Sequence, residues 1–205
     1  FLHHDIEVYT KNWGNKLIKH YKRNPEYGIL GVAGSKSLPE SGKWWENMKK
    51  MIGSVTHTHQ GKTWLSAYSK DIGNQLEETV IVDGVFFSVH KKRIKETFGE
   101  DFEGFHFYDV DFAFRNHIKG VKVGVHFDIK INHFSIGQTN DEWENNRVKF
   151  SNKYKEYLPV NIKKVLLKGE KMNVLFGCLN FKNYTSDEIY NLELAKDLIK
   201  NRCNV

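Results

Sequence analysis

Between Asn12 and Tyr21 the apolar side chains Trp13, Leu17, Ile18 and Tyr21 recur at helical spacing, and the Asn24-Pro25 pair ends the pattern. The next apolar run, Ile29 to Gly34, has the length and the small residues of a strand, and Phe1 to Asp5 reads as the end of a buried strand before the helix. From Ser35 to Lys62 the periodicity dissolves into Ser, Gly and Lys around Trp44 and Trp45, which predicts a long binding loop. Val80 to Val89, β-branched and aromatic with Gly84 inside it, predicts one buried strand with a bulge or a close backbone approach, then a short helix over Lys91 to Phe98. A helical pattern starting near Phe105 runs to a stop at Gly120. Strands at Val121 to Val125 and Ile129 to Phe134 follow, then a polar helix from Asp141 to Tyr157, ended by Pro159.

Beyond Pro159 the character changes. Residues 159–171 read as a linker with a basic stretch from Lys163 to Lys171, and Met172 to Leu179 with Ser186 to Asn201 predict a new strand and helix. The whole is an α/β chain without internal repeats. No apolar run reaches the roughly 18 residues of a membrane span. The 205 residues, 40% hydrophobic, suffice for one sizeable core, which excludes a disordered, collagen-like or low-complexity protein. Net charge is +6, with acids interspersed among the bases and no Arg-rich stripe, so anionic partners are mildly favoured and nucleic acid is not indicated. Two cysteines, Cys178 and Cys203, build no disulfide framework and suit a reducing compartment.

Chemistry-bearing side chains sit at strand ends or at a helix start: Asp5, the pair Asp109 and Asp111, and His133. In an α/β sheet ligands collect at strand ends, so these positions can converge on one cleft, although spacing alone also fits solvated charges and a core histidine. Asp109 and Asp111 diverge by about 200° on a helix and cannot share a face. Asp111 has Arg115 four residues on, an ion-pair partner, whereas Asp109 has none. Trp44, Trp45 and Trp64 flank the long loop and offer flat apolar surfaces for a ligand, with core packing expected of at least one. His57-Thr58-His59 reads as solvated loop, for want of a third adjacent metal ligand.

The order and surroundings of these groups resemble a nucleotide-sugar glycosyltransferase of the GT-A type, family 2-like, over residues 1 to 158. Phe1-Leu2-His3-His4-Asp5 resembles the strand end with the metal-binding aspartate. Val82-Asp83-Gly84-Val85-Phe86-Phe87 resembles the strand lining the acceptor site. Gly104-Phe105-His106-Phe107-Tyr108-Asp109-Val110-Asp111 resembles the segment with the catalytic base, and Asn132-His133-Phe134-Ser135-Ile136-Gly137 resembles the downstream His-x-Ser-x-Gly element. Residues 172 to 205, through Asn173-Val174-Leu175-Phe176-Gly177 and the run from Asn183 to Lys196, resemble the first β-α unit of a GT-B-type, family 4-like glycosyltransferase.

The resemblance implies the C-terminal part of a GT-A mixed-sheet sandwich, preceded in its parent by a nucleotide-binding half and followed by the start of a second domain. It implies a nucleotide-sugar donor, a glycan or glycolipid acceptor as in polysaccharide biosynthesis, and inversion at the anomeric carbon. It further implies a divalent cation, Mn²⁺ or Mg²⁺, on Asp5 and His133, with Asp109 as base and Asp111 in acceptor hydrogen bonding or helix support. Asp83, Gly84, Tyr108, Trp44, Trp45 and Trp64 would contact substrate. The expected place is the cytoplasm, with peripheral association at the inner face of the membrane left open. The alternative from another class is a non-catalytic carbohydrate-binding or scaffolding module.

Overall fold

The computed structural model describes residues 1–162 apart from Glu103 and Gln138. The basic stretch 163–171 and the strand and helix expected within 172–205 lie outside the described residues. The order opens with β1 (Ile6–Val8), α1 (Trp13–Arg23), β2 (Tyr27–Gly31), β3 (Ala33–Ser35) and β4 (Ser37–Leu38). A hairpin of β5 (Met51–His59) and β6 (Lys62–Ala67) follows, then β7 (Leu76–Thr79), β8 (Ile81–Val82) and β9 (Phe87–Val89). Helix α2 (Tyr108–Ile118), β10 (Lys122–His126), β11 (Ile131–His133), α3 (Asp141–Lys153) and β12 (Val160–Asn161) complete it.

These strands form two mixed sheets and a small ribbon. One sheet runs β1-β11-β5-β3-β8 with β6 on β5, the other runs β7-β10-β2-β9, and β12 pairs with β4. Strands β10 and β2 are parallel, as are β11 and β5, while the other pairs are antiparallel. Every residue of β2 is buried, the signature of a strand covered on both faces. Strand β5 serves two neighbourhoods by bending at Gly53, where φ is +97° and a Cβ would meet the Val32 carbonyl oxygen at 2.0 Å. Only glycine allows that approach. The bend lets Met51–Gly53 pair with β3 while the rest of β5 pairs with β6 and β11.

Helix α2 packs Ala113 and Phe114 into the larger core, where Phe150 of α3 and Tyr154 just beyond it close against Phe114. Burying a side chain such as Phe150 contributes about 1.5–3 kcal/mol. Helix α2 stops where expected: Gly120 has φ +79° and donates its N–H to His117 O at 2.8 Å. Helix α3 is capped by Asn140, whose side chain accepts from Trp143 N at 2.8 Å.

Four expectations are corrected. The stretch Ser35 to Lys62 is not one loop, because its second half is the long strand β5, carrying His57, Thr58 and His59. Val80 to Val89 is two strands broken by a turn, in which Asp83 Oδ1 accepts Val85 N at 2.9 Å. Lys91 to Phe98 forms no helix, since the buried Asn116 side chain of α2 accepts Lys95 N and Glu96 N and takes up the backbone donors a helix would use. Phe1 and Leu2 are more than half exposed, and the segment meets the sheet by one bridge, Leu2 to Phe86, rather than as a buried strand. The ribbon of β4 with β12 also brings Val160 and Asn161 into the compact unit Phe1–Ile162.

Candidate functional site

One row across the first sheet sets the site's polar end. Register places Ile6, His133, His57 and Trp64 side by side on β1, β11, β5 and β6, so the two imidazoles share a face. Asp5 lies one residue before β1, where its carbonyl accepts Phe134 N at 2.9 Å, and this bond holds its carboxylate beside His133. His3 reaches the same point from the segment whose backbone donates to Val85 O. The result is a cluster of His3, Asp5 and His133 whose ligand atoms lie within 4.8 Å of one another. His133 Nε2 is 3.3 Å from Asp5 Oδ1, 3.4 Å from His3 Nδ1 and 3.0 Å from Ser135 Oγ.

The electrostatics suit a cation there. Burial pushes the His3 and His133 imidazoles below their ordinary value, against the pull of Asp5 on both and of Asp109 on His3, so both present lone pairs at neutral pH. Burial would raise the Asp5 carboxyl, but the Ser135 hydroxyl and His133 outweigh it and hold Asp5 below the usual carboxylate range. Two imidazoles and a carboxylate fit a first-row divalent ion such as Mn²⁺ better than Mg²⁺, which prefers an all-oxygen shell.

The acidic centre is built by the turn after β8 and the first turn of α2. Gly84 N donates to Asp109 Oδ2 at 2.6 Å, and Asp83 lies close enough to act on Asp109, Tyr108 and Tyr68. Burial, reinforced by the charge of Asp83, pushes the Asp109 carboxyl up to about 6, and burial also raises Asp83. Gly84 is required by contact rather than by dihedral angle: a Cβ there would lie 2.8 Å from both Asp109 Oδ2 and the Tyr108 hydroxyl. Phe107, buried at φ +70°, turns the chain into α2 in a conformation that costs a bulky residue about 1–3 kcal/mol.

Both ends open into one cavity of about 950 Å³. One wall of it is aromatic. Trp44 meets Tyr68 and Trp45, Trp45 meets Trp143, and Trp143 meets Phe107, with ring centroids 5.4 to 6.4 Å apart.

Asp5, His133, Asp83, Tyr108, Asp109, Trp44 and Trp45 therefore line a single cavity, and Gly84 adjoins it through its N–H. Trp64 and Asp111 do not line it. Trp64 stacks on His57 at 5.5 Å, with 41% of its surface exposed. Asp111, on the opposite side of α2, is buried and accepts from Tyr154 Oη at 2.5 Å and Lys153 Nζ at 2.7 Å, while Arg115 lies 3.9 Å away. It ties α2 to the C-terminal end of α3.

Sequence reasoning missed His3, His57, Tyr68 and Trp143. The His3-x-Asp5 spacing was the available signal for His3. For His57 it was Gln60-Gly61, both with positive φ, the mark of a two-residue hairpin turn that makes β5 a strand and aligns His57 with His133. His57 Nδ1 lies 3.2 Å from Ser135 O, so it holds the backbone of the residue whose hydroxyl touches His133.

Fold and site together define a mixed α/β protein with a ligand-sized cleft that gathers imidazoles, carboxylates and aromatic rings. The model of the glycosyltransferase-like family matches residues 1–163, and the chain belongs to that family. Membership implies a transferase with a sugar donor and a sugar acceptor as partners. A comparison with curated proteins finds no match. Among the described residues no helix is long and apolar enough to cross a membrane.

Proposed function

We propose that this chain transfers a sugar from a nucleotide-sugar donor to a glycan or glycolipid acceptor by single displacement with inversion. The observation that carries the reading is the shared cavity, which gathers His3, Asp5 and His133, the buried Asp109 and the aromatic wall. A divalent cation at the His3, Asp5 and His133 cluster would neutralise the charge that develops on the departing nucleoside diphosphate. Asp109 takes the proton of the attacking acceptor hydroxyl as its oxygen bonds to the anomeric carbon, and the bond to the diphosphate oxygen breaks with its electron pair. The Gly84 N–H fixes Asp109 in position, and the aromatic wall holds the apolar face of the acceptor ring.

The test is sugar transfer and nucleotide-sugar hydrolysis measured with and without Mn²⁺, alongside Mn²⁺ binding by calorimetry. Asp5→Asn should weaken Mn²⁺ binding, whereas Asp109→Asn should keep Mn²⁺ binding and lose about two to four orders of magnitude in turnover. Glycan binding without transfer under any metal condition would instead assign the chain to non-catalytic carbohydrate binding.

A further inference from the structure

The sequence carries 31 lysines and arginines and a net charge of +6, yet among the described residues none of them lines the 950 Å³ cavity. The charged groups that do line it are acids, Asp5, Asp83, Asp109 and Glu142, accompanied by histidines. Asp5 belongs to the imidazole cluster, so the acids that face the aromatic half are Asp83 and Asp109 at the turn after β8, with Glu142 on α3. Glu142 is already engaged, accepting Phe105 N at 3.0 Å. Asp83 lies close enough to act on Asp109 and on the Tyr68 and Tyr108 hydroxyls, and Asp109 acts on Tyr108, so the two carboxyls sit beside aromatic lining residues.

We infer that the aromatic half of this cavity takes an acceptor sugar that carries no negative charge, and excludes uronates and phosphate- or sulfate-bearing sugars. This rests on the acceptor reading proposed above. A carboxylate or phosphate on the acceptor ring would face Asp83 and Asp109 with no guanidinium or ammonium among the described lining residues to pair with it; Lys43, whose Nζ lies 5.8 Å from the centre of the Trp143 ring, is not one of them. A neutral ring meets no such opposition: its hydroxyls donate to the two carboxylates and its C–H face lies on the tryptophans. Discrimination of this kind works by repulsion of the wrong ligand rather than by added attraction to the right one.

The experiment probes the full chain, loaded with Mn²⁺, on an array of uncharged glycans, each printed beside its counterpart with a uronic acid, phosphate or sulfate on the terminal ring. Hits are followed by quenching of tryptophan fluorescence. Uncharged glycans should bind, and their anionic counterparts should bind about tenfold or more weakly. The gap should narrow in Asp83→Asn, which keeps the side-chain oxygen that accepts Val85 N while removing the charge. Anionic members binding as well as or better than their neutral partners would overturn the inference and leave the acceptor reading standing. An unchanged gap in correctly folded Asp83→Asn would also overturn it. Silence across the whole array, with Mn²⁺ bound, would instead overturn the acceptor reading itself.

Discussion

Gly84→Ala isolates the geometry of the proposed base without touching its chemistry. The new Cβ would stand 2.8 Å from Asp109 Oδ2, 2.8 Å from the Tyr108 hydroxyl and 3.0 Å from Asp109 Cβ. To reach an ordinary contact distance the carboxylate oxygen must retreat by about 0.6 Å, and the 2.6 Å hydrogen bond from residue 84 N must lengthen or bend. Two of the three close atoms are the far ends of side chains, and Gly84 has no positive φ, so the backbone is not strained and overpacking should cost only about 1–2 kcal/mol of stability. Turnover is more sensitive, because a displacement approaching 1 Å at a reacting group can cost about 10²-fold in rate. The assay is steady-state sugar transfer beside thermal unfolding and Mn²⁺ calorimetry. The expected pattern is kcat lower by about 10- to 100-fold, Mn²⁺ affinity unchanged and Tm only slightly lower. A kcat within about twofold of wild type in a folded variant would refute the claim that Gly84 positions the base.

Three further perturbations separate the roles of neighbouring residues. Because Asp109 titrates near 6 in the fold and near 4 when unfolded, the folded state binds the extra proton between those values, so its contribution to stability falls as pH rises from 4 to 6. Metal-free Asp109→Asn should therefore be more stable than wild type at pH 8, by up to about 2–3 kcal/mol, with the gap closing toward pH 4 in urea titrations; equal midpoints at both pH values would contradict the burial argument. Asp111→Ala strands the Tyr154 hydroxyl and should cost about 1–3 kcal/mol in chemical denaturation while leaving Mn²⁺ affinity intact, and a loss of Mn²⁺ binding in the folded variant would contradict its structural role. His57→Ala should weaken Mn²⁺ binding about 10-fold by releasing Ser135, with partial recovery in His57→Gln, and unchanged affinity in both would show that Ser135 needs no such support.

How much of this was legible along the chain depends on the range of the forces involved. Helix α1 with its stop at Asn24-Pro25, helix α2 with its Gly120 terminus, and helix α3 follow from periodicity and capping, which act within a few residues. The separation of Asp109 from Asp111 was equally local, since a 3.6-residue period sends neighbours two apart to different faces whatever the helix packs on. Local pattern failed where a distant group decided the backbone. Asn116 consumes the donors that a helix at 91–98 needs, and β3 and β11 draw 51–59 into a strand although its Ser, Thr and His residues read as loop. The same division holds for the site. Sequence singled out Asp5, the pair Asp109 and Asp111, and His133 as chemistry-bearing groups, because residue type and neighbourhood are local properties. The convergence of Asp5, His133 and Asp109 with His3, and an acidic lining with no lysine or arginine among its described residues, exist only once β1, β5, β8, β11 and α2 are packed together. Burial supplies the rest: desolvation raises Asp109 and lowers His3 and His133, and no one-dimensional pattern carries that quantity.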